Sequence, residues 1–81
     1  MPDVISQLAI RRDITLCDLD VRTCERRGQD AARNITRQVY ADLSALDPAQ
    51  LQASVDDLLS AKRDYAAFAK KRRELAAALG E

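Results

Sequence analysis

The chain has no histidine and no tryptophan, only two glycines, two prolines and two cysteines, and no net charge. Without histidine it lacks the commonest metal ligand and general base. Two cysteines do not make a disulfide framework. Cys17 and Cys24 are seven residues apart, about 10 Å along a helix axis, which exceeds the Cα separation a disulfide allows. A zinc site would need two further ligands, and the chain offers neither a second cysteine pair nor a histidine. Small apolar positions on a helix face are the expected role of both thiols. Scarce glycine and proline leave few places to interrupt a helix. No uncharged apolar run approaches the roughly 18 residues of a membrane span. Met1-Pro2-Asp3 has neither the basic start nor the apolar stretch of a signal peptide, so a cytoplasmic protein with reduced thiols is expected.

What is present favours helix. Alanine, leucine, arginine, glutamine and aspartate dominate, and with 47% apolar residues the chain is too hydrophobic for a disordered tail. Its 81 residues make a single domain, 1–81. A domain of this size hides only about 60% of the surface its unfolded chain exposes, so self-association or docking on a larger partner is the expected supplement.

The firmest local signal is Asp47-Pro48-Ala49-Gln50. Aspartate at the cap, proline at the first helical position and glutamine three residues on form a helix start. From Ala49 to Leu79 only Val55 is β-branched, and Gly80 stands where a terminating glycine belongs. A helix over about 48–79 follows. Its apolar rows repeat every seven residues: Leu51, Leu58, Tyr65, Arg72, Leu79; Ser54, Ala61, Phe68, Leu75; and Val55, Lys62, Ala69, Ala76. Such a repeat favours coiled-coil packing. Long basic side chains can lie along a seam with their charge in water, so Lys62 and Arg72 are tolerable there.

A preceding helix is expected over 29–46, with Ala32, Ile35, Val39, Leu43 and Leu46 as its stripe. A loop of two or three residues at Asp47 then makes the pair antiparallel. Residues 3–27 carry two apolar faces: Ile5, Leu8, Ala9, Leu16 and Leu19 on one, and Ile10, Ile14, Cys17, Val21 and Cys24 on the other. Either this segment breaks near Asp13–Thr15, giving helices 3–12 and 15–27, or it is continuous and a partner covers the second face. Arg26-Arg27-Gly28 reads as a helix end. The expected fold is thus all-α: an antiparallel helical hairpin with a long C-terminal helix, plus one or two N-terminal helices, forming a small bundle.

Chemistry is sparse. Asp18/Asp20 and Asp56/Asp57 lack the cleft and opposing group that catalytic carboxylates need. No glycine-rich loop or activated nucleophile is present, so no enzyme, cofactor or metal is expected. Six bases lie within residues 62–73 against Asp64 alone. Of these, Lys62, Arg63, Lys70, Lys71 and Arg73 form a candidate patch for an anionic partner, either acidic protein or nucleic acid. The neutral total and the lack of an aromatic platform weaken the nucleic-acid reading.

The leading functional expectation is a small protein–protein interaction module, a regulator, inhibitor or assembly factor acting on a larger protein, on itself as a homodimer, or on both. Ile14, Val21, Tyr40 and Leu59, apolar residues outside the main stripes, are the candidate partner contacts. Chains of this type include phage-encoded inhibitors of host proteins, secretion chaperones and toxin-neutralising partners, a comparison of type without a motif behind it. The alternatives are a nucleic-acid-binding protein using residues 62–73 and a purely structural homo-oligomeric bundle.

Overall fold

The structure, a computed structural model, describes residues 4–80. The Met1-Pro2-Asp3 opening, and with it the expected first-helix start at residue 3, lies outside the described residues. Two helices make up nearly all of the rest: α1, Val4–Val39, and α2, Pro48–Ala78. The connection between them contains one 3-10 turn, Leu43–Ala45. The helices lie antiparallel and in contact along their length, giving a rod of 65 × 16 × 13 Å.

α2 begins and ends where its capping residues place it. Asp47 Oδ1 accepts from the backbone N–H of Ala49 at 3.0 Å and of Gln50 at 3.4 Å, and Pro48 occupies the first turn. At the other end Gly80 takes a left-handed φ of 80° and its N–H returns to the Ala77 carbonyl. A side chain there would be strained, which is why glycine ends this helix.

α1 departs from expectation. It is one helix of 36 residues, with no break at Asp13–Thr15 and no end at Gly28. Thr15, where a second helix was expected to start, instead donates from Oγ1 to the Arg11 carbonyl at 3.1 Å, as Thr23 does to Leu19 and Thr36 to Ala32. A threonine satisfied by its own preceding turn is a helix-interior residue. Gly28 stays helical because it faces α2: a Cβ there would lie 3.8 Å from Leu58 Cδ1 and 4.0 Å from Ala61 Cβ. α1 also stops earlier than residue 46. Asp42 offers its side chain to Ser44 N–H and its carbonyl to Ala45 N–H, capping the 3-10 turn in place of further α-helix. The loop is accordingly residues 40–47, longer than the two or three residues expected.

The inward face of α1 follows one heptad pattern across both expected breaks: Ile10, Ile14, Cys17, Val21, Cys24, Gly28, Ala31, Ile35 and Gln38, all buried or half-buried. Of the stripe expected near the turn, Ile35 lies in the seam and Leu46 is half-buried, but the other three positions do not face α2. Ala32 and Val39 are exposed, Leu43 lies beyond the helix, and the seam position is held by Gln38, whose Nε2 donates to Ser54 Oγ at 3.2 Å. A polar residue facing another polar residue carries no apolar periodicity, so the pattern hid it.

Two ion pairs mark the register, Arg27–Asp64 at 3.0 Å and Arg72–Asp18 at 2.7 Å. Both are nearly half exposed, so they align the helices more than they stabilise them. With Gly28 against Ala61, this register sets Ile35 opposite Ser54, Ala31 opposite Leu58, Cys24 opposite Tyr65 and Val21 opposite Phe68. Small residues alternate with large ones, and the helices meet most closely where both are small.

Candidate interaction surface

Burial in this hairpin is inverted with respect to size. The buried residues are Cys17, Cys24, Ala31, Ser54 and Ala61, with Ala61 at 1% exposure, and no large side chain among the described residues is fully buried. The large apolar side chains Leu8, Leu16, Leu19, Val39, Tyr40, Leu43 and Leu59 are half-exposed or more. A two-helix rod covers each helix on one side only, which explains the inversion. Any second apolar face remains in water.

Two such faces exist. On α1, Leu8, Leu16 and Leu19, joined by the exposed Ile5, lie about 180° around the helix from the seam. On α2, Val55, Leu59, Lys62, Ala66, Ala69, Arg73 and Ala76 recur at three- and four-residue spacing, exposed or half-buried, about 100° around from the inner seam. Beside this second row lies a shallow, mainly apolar groove lined by Cys24, Glu25, Gly28, Leu58, Ala61, Lys62 and Tyr65. It opens where Gly28 contributes no side chain.

The sequence-derived partner residues separate into two sets. Ile14 and Val21 lie half-buried in the seam against α2, so the face they belong to is covered within the chain. The uncovered face of α1 is the opposite one. Tyr40, just past the end of α1, is 86% exposed, and Leu59 is exposed within the second row of α2. The structure does not join Tyr40 and Leu59 to Ile14 and Val21 in one patch. Leu8, Leu16 and Leu19 are visible in the sequence as an apolar face, but the expected partner contacts, Ile14 and Val21, belong to the opposite one.

The candidate anionic-partner residues do not form one free row. Lys62 borders the groove beside Glu25, Lys70 stands 4.0 Å from Glu74, and Arg63, Lys71 and Arg73 are exposed on different sides of α2. Arg72, between them, is held by Asp18. Across the hairpin, the Arg27 guanidinium sits above its ordinary pKa because it donates to Asp64. Arginine is charged at any working pH, so no pH dependence follows.

Cys17 and Cys24 are buried free thiols. Among the described residues no group of three or more acidic, cysteine or histidine side chains could hold a metal, and no helix is long and apolar enough to cross a membrane. Comparison with protein-family models, curated proteins and solved structures finds no match.

Proposed function

We propose that this protein is a helical interaction module that docks on a larger protein through the outward face of α1. The observation that carries this reading is the row Leu8, Leu16 and Leu19, each at least half exposed on the side of α1 turned away from its only neighbour. The three leucines are turned away from α2 and bury little against it. A partner helix laid along α1 would bury them as anchors at helical spacing. A regulator, inhibitor or assembly factor needs no more machinery than this.

The test compares the parent chain with a Leu8→Ser, Leu16→Ser, Leu19→Ser variant as baits in extracts of the native host. A protein retained by the parent and lost from the variant, at unchanged helicity, supports the reading. Equal retention by both excludes this face. Heparin retention lost with Lys70→Gln and Lys71→Gln would instead favour a nucleic-acid partner.

A further inference from the structure

We infer that the second apolar row of α2 is the contact between two copies of this chain, which pair α2 against α2 antiparallel to make a four-helix assembly. The inference stands beside the docking reading, because it uses a different helix and a different face.

The first argument is area. A compact 9.0 kDa monomer exposes about 4,850 Å² by the scaling of folded chains, whereas this one exposes 6294 Å², a surplus of about 1,400 Å². A standard interface takes roughly 800 Å² from each partner, so the surplus is ample for a stable dimer. The rod is only 16 × 13 Å in cross-section, which leaves its flanks open to a second hairpin. The α2 row lies about 100° from the inner seam, close to the angle between neighbours at the corner of a four-helix bundle.

The second argument is self-complementarity, which an isologous two-fold contact requires. Along the row the large apolar residues, Val55 and Leu59, come first and the small ones, Ala66, Ala69 and Ala76, come later. A two-fold axis near residue 64 reverses one copy against the other. Leu59 of each then meets Ala69 of its mate, Gln52 meets Ala76, and the methylenes of Arg73 lie over Val55. The same reversal brings the acidic end of α2, with Asp47, Asp56 and Asp57, toward the basic end with Lys70, Lys71 and Arg73. Shape and charge are satisfied by one operation, and a parallel pairing would satisfy neither. Lys62 near the axis can snorkel outward.

The experiment uses the full chain. Sedimentation of the parent should give twice the 9.0 kDa chain mass, and Leu59→Glu should weaken association at least tenfold. Mixing a Leu59→Cys chain with an Ala69→Cys chain under mild oxidation should trap a covalent pair that neither variant forms alone. The parent, whose cysteines are buried, should form none. If Leu59→Glu unfolds instead of dissociating, the cross-link decides. Leu16→Ser with Leu19→Ser should leave the mass unchanged, so failure of the docking reading remains separate. A parent mass of one chain at every concentration overturns the inference. So does a dimer that resists cross-linking in the mixture, or one broken by the α1 substitutions.

Discussion

The seam between the helices and the outer rows beside it differ in a telling way. The most deeply buried seam residues are small, Cys17, Cys24, Ala31, Ser54 and Ala61, while the larger seam residues, among them Ile14, Ile35, Leu58 and Phe68, are only half-buried. The outer rows hold Leu8, Leu16, Leu19 and Leu59, which bury much more wherever they are covered. A self-sufficient small domain puts its largest apolar side chains inside. Here small residues occupy the closest layers, the larger seam residues are half-covered beside them, and a further set of leucines faces outward. The geometry of the hairpin is set by the seam, and the outer leucines add to stability only where something covers them.

The largest effect should come from putting charge into the seam. Ala61→Asp places a carboxylate in the tightest layer, against Gly28, and should cost about 3 kcal/mol or more. The expected sign in circular dichroism is loss of cooperative melting. Leu58→Ala, at the edge of the same layer, should cost about 2 kcal/mol in denaturant unfolding. Leu16→Ser with Leu19→Ser removes as much side chain from the outer row, yet should shift hairpin stability by no more than about 0.5 kcal/mol. A shift as large as that of Leu58→Ala would erase the distinction between the two regions.

Other changes sharpen the seam. Gly28→Ala should stabilise by about 1 kcal/mol, since alanine is the better helix former and its Cβ would sit in ordinary contact with Leu58 and Ala61. Destabilisation there would mean that the helices approach too closely for a methyl group. Gln38 donates to Ser54 but leaves its buried Oε1 without a partner. Gln38→Leu combined with Ser54→Ala should therefore gain about 1 kcal/mol in the same unfolding measurement. Smallest of all, Asp64→Asn should leave the melting curve unchanged, because its pair with Arg27 is nearly half exposed.

Much of this was legible in the residues. Asp47-Pro48 and Gly80 marked both ends of α2, and two of its three heptad rows, those of Leu51 and Ser54, form the seam, while the row of Val55, Lys62, Ala69 and Ala76 lies on the outer face. Less of α1 could be read, for two physical reasons. Thr15 and Gly28 are residues that end helices in isolation, but each has a use inside a helix that only the neighbouring turn or the neighbouring helix reveals. Gly28 between Cys24 and Ala31, and Gln38 beyond Ile35, removed apolar marks that would have carried one stripe along the whole of α1. The N-terminal half showed two apolar faces, and only the path of α2 decides that Ile14 and Val21 are inside while Leu16 and Leu19 are outside. A second helix confined to 29–46 would leave the C-terminal half of α2 uncovered, and uninterrupted α1 covers it.

The central proposal is that the hairpin pairs with a second copy of itself through the outer row of α2. Its most direct test is the thermal midpoint of the full chain, followed over a hundredfold range of protein concentration alongside the sedimentation mass. Coupled folding and association should raise the midpoint with concentration and give a mass of two chains where melting is cooperative. A midpoint independent of concentration, with a mass of 9.0 kDa throughout, would contradict it.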